Sequence, residues 1–574
     1  MSEQGPRLDV LVDFPDDCGQ GEYTRETVDQ LMARVRQMGA ARVYWNYYGN
    51  ADEEMFFWDV PDDKATRNRT ATYRALNGSL GVAVEAAHRH GMQFFAIIKP
   101  YETGIASMFH EGTEEERTYG RVPRLGGSMY WVTRFVHENP SKRIRRRTHY
   151  VPPDVGTRRV CSIKLYKVDH EPTRIGAENL EIWTNSVNCR YVKRDVPLDL
   201  SQSVEPAPCD VEDFEGRILA RQGSASRVLT LAGLDLADKY IAITTNFRDG
   251  PADFGNTSRC MLRVYDAGGE EIPVSLGTPS GIFGSRSDMK TVGVDFDTGL
   301  ARFVQHLDSP GMFLAFVRGK NEYLGGALCE SEPAVREFLL RQVDECLAAG
   351  ADGVDFRIEN HSTCTDNAFA YGFNDVILDA YAAKYGAIGG EKDVDLRKLS
   401  DVRGDFYDSF VAETARRVRA AGKRMAHHIN VEYLRPDPRA RRREAYPWNI
   451  RFHWRAWLER GLLDEVTLRT YQYYPSFVLK DPFSEEVMRR ATDRGLPINY
   501  VRYVHPHHDP KRLDKPDEYT EEMREIVNDG RCRRLTVYET ANLFAPDGTG
   551  RLAARNEWPE KIRTCASALG MTAR

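Results

Sequence analysis

A chain of 574 residues has the length of about two or three domains. With 41% hydrophobic and 29% charged residues it has the balance of a soluble globular protein. The formal net charge of -6 is small for this size and excludes any electrostatic case for nucleic acid or an anionic membrane as partner.

The first hundred residues alternate between strand and helix. The run 8–14 (LDVLVDF) reads as a strand, and 27–38 as a helix, with Val28, Leu31, Val35 and Met38 on one face and Gly39 ending it. A second strand is predicted over 42–48. After a long polar loop come a helix through Leu80, Val84 and Ala87 and a third strand over 93–99. Helical periodicity then fades. From about 104 to 319 short alternating runs are separated by turn signals such as Asp266-Ala267-Gly268-Gly269, the pattern of a β-rich, sandwich-like unit.

Helix–strand alternation resumes at Pro333, a residue suited to the first turn of a helix. Strands are predicted over 352–360, 423–433, 463–471, 498–504 and 534–541. Helices are predicted over 405–420, 454–460, 485–494, 520–528 and 558–569. Eight strands, each followed by a helix, is the count of a (β/α)8 TIM barrel, an α/β fold. A doubly wound sheet is disfavoured, because the first strand runs into Pro15-Asp16-Asp17-Cys18-Gly19 and not into a Gly-rich turn. The expected domains are therefore a barrel from 1–104 and 320–574, with 105–319 inserted after the third strand.

No run reaches the roughly 18 apolar residues of a membrane span, and the ten cysteines form no CxxC pair. Reduced thiols and the absence of a visible leader ahead of residue 8 suggest a cytoplasmic protein, or a secreted one if the chain has been trimmed. No cofactor is indicated. A homo-oligomer is left open.

In such a barrel the chemistry lies at the C-terminal ends of the strands, and side chains two apart share a face. On the fourth strand Asp355, Arg357 and Glu359 share one parity and apolar neighbours the other. The three charges are thus expected to face the axis, with Glu359 nearest the mouth. On the fifth, His428, Asn430 and Glu432 do the same, and one of the pair His427-His428 must face outward. Glu539 closes the eighth strand, but its parity matches Leu535 and Val537, which argues for an outward position unless a bulge intervenes.

The remaining strand ends supply Asp13, Asp16, Asn46, Tyr48, Lys99, Tyr101, Glu102, Arg469, Tyr471, Arg502 and the loop from His505. Asp464 and Glu465 start their strand and read as structural. Aromatics are dense at the second strand and at Tyr471, Tyr473 and Tyr474, partly as core. Aromatic faces ringed by carboxylates and amides suit a sugar, and two facing carboxylates suffice to cleave a glycosidic bond.

The segment 327–358, with Glu332-Pro333-Ala334-Val335-Arg336 and then Asp352-Gly353-Val354-Asp355-Phe356, resembles the family-10-like putative glycoside hydrolases. Weaker likeness extends over about 350 residues of the barrel, without the insert. The chain departs from that pattern in placing Arg357 where a second aspartate is common. The resemblance implies glycoside hydrolysis on a carbohydrate substrate.

The candidate catalytic residues are Glu359 as general acid, Glu432 as nucleophile or base, and Asp355. Arg357, Asn430, His428, Tyr471, Arg469, Glu539, Lys99, Asn46, Tyr48, Arg502 and His505 are candidate substrate contacts. Two other readings stay open: a metal-dependent sugar isomerase, epimerase or lyase using His428, Glu432, His505 and Glu359, and a non-catalytic glycan-binding barrel.

Overall fold

The computed structural model describes residues 5–49, 55–57, 64–109, 128–148, 155, 157–185, 192–212, 218–245, 261–279, 294–295, 313–319, 323–358, 368–429, 450–470, 475–504 and 515–571. Eight parallel strands close into a barrel: β1 (Arg7–Val12), β2 (Ala40–Tyr47), β3 (Gln93–Ile98), β4 (Gly353–Phe356), β5 (Arg424–His428), β6 (Glu465–Thr470), β7 (Ile498–Tyr503) and β8 (Arg534–Tyr538). β8 pairs back onto β1 from Arg7↔Arg534 to Leu11↔Tyr538.

The connecting helices include α1 (Phe14–Gln20), α2 (Arg25–Gln37), α3 (Ser79–Arg89), α4 (Pro333–Ala348), α5 (Leu396–Ala420), α6 (Trp454–Glu459), α7 (Pro482–Asp493), α8 (Pro516–Asp529) and α9 (Trp558–Ala568). The fold is the expected (β/α)8 barrel.

The strands are buried on both faces, as parallel strands under a helix layer must be, and side-chain alternation splits them. Val10, Trp45, Phe94, Val354, Phe356 and Val537 pack outward into the large core shared with the helices. Leu11, Tyr44, Phe95, Ile97, Val501, Tyr503 and Tyr538 form a smaller cluster of their own within the ring of strands.

At the N-terminal end the interior is ionic. Arg42 donates to Glu465 at 2.7 Å, Tyr44 Oη donates to the same carboxylate at 2.7 Å, and Arg534 pairs with Asp9 at 2.5 Å. The Arg42 guanidinium lies 3.7 Å over the Phe95 ring. Gly353 starts β4 without a side chain because a Cβ there would stand 2.4 Å from that same ring.

Two helices differ from the sequence expectation. The stretch after β1, where no helix is predicted, is helical: Pro15 occupies the first turn of α1, and the Asp13 carbonyl accepts from Asp16 N at 2.8 Å. α5 begins at Leu396, nine residues before the expected 405, because the Asp395 side chain caps it by accepting from Arg397 N and Lys398 N. Gly404, which interrupts the apolar pattern, sits inside α5 where a Cβ would meet the Arg451 carbonyl oxygen at 2.1 Å.

Between β3 and β4 the chain forms antiparallel sheets. One runs in the order Val192–Arg194, Leu180–Asn185, Tyr240–Thr245, Phe313–Arg318, Val274–Pro279, Val294–Asp295. Another runs Asp199–Pro206, Ala225–Ala232, Ser162–Tyr166, Met261–Tyr265. A second hydrophobic core draws on both, with Ile182, Ile241, Ile243 and Phe316 from the first and Ile163, Leu165, Leu229, Leu231, Leu262 and Val264 from the second. Val136 and Ile144, which precede it in the chain, pack instead into the barrel's core.

Candidate active site

The C-terminal rim of the barrel gathers side chains from the ends of β1, β2, β3, β4, β6, β7 and β8. β1 and β2 are in register at Val12↔Trp45, so the next residues, Asp13 and Asn46, lie side by side. Asp13 is buried, and three groups converge on its Oδ2. Lys99 Nζ donates to it at 3.2 Å, Tyr538 Oη donates at 3.2 Å, and Arg357 Nη1 stands 3.9 Å away. Burial by itself would raise this carboxyl. The charges of Lys99 and Arg357, with Asn46 acting in the same sense, outweigh it and hold Asp13 below the ordinary aspartate range.

Two further acids stand close. One oxygen from each of Asp13, Asp16 and Glu539 lies within 4.8 Å of the others. Asp16, on α1, keeps 39% of its side chain exposed and lies 4.0 Å from Arg69. Confinement at the rim and the neighbouring Asp13 charge push it up to about 7. Glu539 is 5% exposed, and burial followed by the charges of Asp16 and Asp13 raise it well above the usual glutamate range. Tyr503 Oη and Asn542 Nδ2 both donate to its Oε1, at 3.3 and 3.2 Å. The surroundings thus favour the ionised form of Asp13 and the protonated form of Glu539.

Beyond Asp13 the polar chain continues. Lys99 also donates to Tyr48 Oη at 2.7 Å and reaches Glu102 Oε1 at 3.4 Å. Arg357 and Arg469 approach the ring of Tyr538, at 5.6 and 4.5 Å from its centroid. One level below Arg357 on β4, Asp355 accepts from Thr467 Oγ1 at 2.9 Å and lies 3.2 Å from His428 Nε2, all three fully buried.

Asp355, Arg357, His428, Arg469, Lys99, Asn46 and Tyr48 thus occupy the inner face or its rim. Asp355 and His428 sit under the acids, not among them. Glu359, Glu432, Asn430, Tyr471 and His505 lie outside the described residues.

Arg502 departs from the expectation. It points to the helix layer, where Glu522 of α8 accepts from its Nε at 2.6 Å and from its Nη2 at 3.1 Å. The inward positions of β7 belong to Val501 and Tyr503, so alternation turns Arg502 away.

Glu539 departs in the opposite sense. β8 ends at Tyr538 and Glu539 leads into a 3-10 turn (Thr540–Asn542), so strand parity no longer governs it. Asp13 and Asp16 were legible only as strand-end groups. The signal for them was the acid-rich step from a strand into a proline-led helix.

No family model and no curated protein matches this sequence. Among solved structures, the catalytic domain of a β-amylase from Paenibacillus polymyxa aligns over 99% of both chains at 7% identity, with a TM-score of 0.37. The PgaB (BpsB) glycoside hydrolase domain from Bordetella bronchiseptica aligns over 99% of both at 9% identity and a TM-score of 0.38. A β-galactosidase from the psychrophilic Marinomonas ef1 aligns over 98% of this chain and 60% of its own at 9% identity and a TM-score of 0.36. Scores of this size describe a loose likeness and say nothing of substrate.

Proposed function

We propose that the protein is a glycoside hydrolase acting on an oligo- or polysaccharide, with Glu539 as general acid and Asp13 as its ionised partner. One observation carries the reading: carboxyl oxygens within 4.8 Å of each other at the barrel mouth stand in surroundings that shift the two groups in opposite directions, Asp13 down and Glu539 up. Glu539 would give its proton to the glycosidic oxygen as that bond breaks. Asp13 would attack the anomeric carbon, and water would later release the sugar with Glu539 acting as base. The short spacing is nearer the ~5 Å of retaining enzymes than the ~6.5–9.5 Å of inverting ones, so the product should keep the substrate's anomeric configuration. Residues 105–319 are proposed as an inserted β-rich module whose role is carbohydrate binding or oligomerisation.

Glu359 and Glu432 remain candidates on sequence grounds. Glu539→Gln, Asp13→Asn and Glu359→Gln, assayed together on aryl glycosides and natural polysaccharides, separate the two assignments. The present reading expects the first two to lose roughly a hundredfold or more in kcat with folding intact. Full activity in Glu539→Gln ends it, and collapse in Glu359→Gln alone returns the acid to β4.

A second reading has its own observation. Three carboxyl oxygens gathered at Asp13, Asp16 and Glu539 could instead hold a divalent ion for isomerase or lyase chemistry. Lys99 and Arg357 already supply positive charge to Asp13, which weighs against it. Activity that survives EDTA excludes that reading, and activity lost to EDTA and restored by added metal replaces the first.

A further inference from the structure

The acids at the rim explain how a proton can be given. They leave open what keeps Asp13 from sharing in it. Asp13 faces Lys99 and Glu102 from the end of β3, Tyr48 and Asn46 from the end of β2, and Arg357 from β4. Tyr538 and Glu539 face it from β8, and Asp16 and Asp17 from α1. Among these, Lys99 is the one whose charged atom contacts Asp13, Tyr48 and Glu102 at once, at 3.2, 2.7 and 3.4 Å. Its side chain is 2% exposed, too enclosed to serve mainly as a solvent-facing sugar contact. Its place is built. Glu102 N donates to the Lys99 carbonyl at 3.1 Å, so the two residues share one turn, and the Tyr48 ring lies 5.0 Å from the ammonium.

We propose that Lys99 is a positioning residue: its ammonium, held between Glu102 and Tyr48, keeps Asp13 oriented and anionic opposite Glu539. The inference rests on the hydrolase reading and revises the expectation that Lys99 binds sugar directly. Glu102 then has a defined part, competing with Asp13 for the same ammonium. The two residues should therefore move Asp13 in opposite directions. Loss of Lys99 removes the cation and makes Asp13 easier to protonate; loss of the Glu102 carboxyl leaves the ammonium more fully to Asp13.

The test uses the full chain with Lys99→Met, Lys99→Arg and Glu102→Gln. Two measurements are needed, kcat and KM against pH, and thermal stability against pH. The expected result in Lys99→Met is an acidic limb of kcat/KM moved up by about one unit or more. It comes with a kcat loss of roughly tenfold or more and little change in KM. Lys99→Arg restores most of the rate, and Glu102→Gln moves the limb down.

A loss confined to KM makes Lys99 a sugar contact and overturns the proposal, as does an acidic limb that stays in place in all three variants. If Lys99→Met does not fold, Glu102→Gln still decides: a limb moved down, with Lys99→Arg close to the parent, supports the proposal, and a limb that stays in place overturns it. If no variant or parent cleaves any glycoside, the hydrolase reading has failed. The Lys99–Asp13 link is then read from stability alone: the gap between parent and Lys99→Met should be widest near neutral pH and close as acid protonates Asp13. A gap independent of pH refutes the link.

Discussion

His427 and His428 are neighbours in the chain and face opposite sides of β5. His428 lies inside the barrel beside Asp355. His427 packs in the helix layer against Trp457, with ring centroids 4.7 Å apart. Its Nδ1 donates to the His428 carbonyl at 2.8 Å, which leaves Nε2 to accept from Tyr407 Oη at 3.0 Å, the pattern of a neutral ring. Burial pushes His427 down to about 3, against the hydrogen bond to the His428 carbonyl, which acts to raise it.

Its folded pKa is below the ordinary 6.5, so its contribution to stability is present above that value and lost as pH falls toward 3. His427→Phe should therefore flatten the acid side of the stability–pH curve between those limits. The check is urea denaturation at several pH values, and an unchanged acid slope would show that His427 takes up no proton on unfolding. Asp16 and Glu539 act with the opposite sign. Both are raised in the folded state, so their contribution is lost as pH climbs past the ordinary carboxylate range.

Strands position these groups by alternation, and alternation is reliable only while the strand lasts. It sorts Asp355 to the inside of β4 and Arg502 to the outside of β7. Beyond a strand's last residue it can lapse: Asp13, one past β1, keeps the inward side that parity gives it, whereas Glu539, one past β8, does not.

The start of each strand has a different task. Glu465 accepts from Arg42 and Tyr44 with no exposed surface on either ion. Glu465→Ala should cost about 3–5 kcal/mol, because it leaves the Arg42 guanidinium buried without its closest carboxylate. Equilibrium denaturation measures this directly; a loss below ~1 kcal/mol would mean that Asp9 alone suffices to compensate Arg42.

At the scale of the molecule the described residues form two large hydrophobic cores, one for the barrel and one drawn from residues between 155 and 316. Leu165 is 1% exposed in the second. Leu165→Ala should cost about 2–5 kcal/mol there. If the cores unfold separately, calorimetry will show one transition lowered and the other unmoved, with hydrolysis unaffected at temperatures below both. A single transition shifted as a whole would show that the two cores melt as one cooperative unit.

The barrel was readable from the chain because hydrophobic periodicity is local: each strand and helix carries its own apolar face, and eight such pairs imply closure. The same local rule separated Asp355, Arg357 and His428 from their outward neighbours. Which acids meet was not local. Asp13 and Glu539 are 526 positions apart in number, and they become neighbours because β8 pairs with β1. Their opposite shifts have separate causes: Lys99 and Arg357, arriving from two further strand ends, lower Asp13, while burial and the charges of Asp16 and Asp13 raise Glu539. Pairing across a closed sheet and the desolvation of the pocket it encloses belong to no single segment, so only the tertiary structure could decide them.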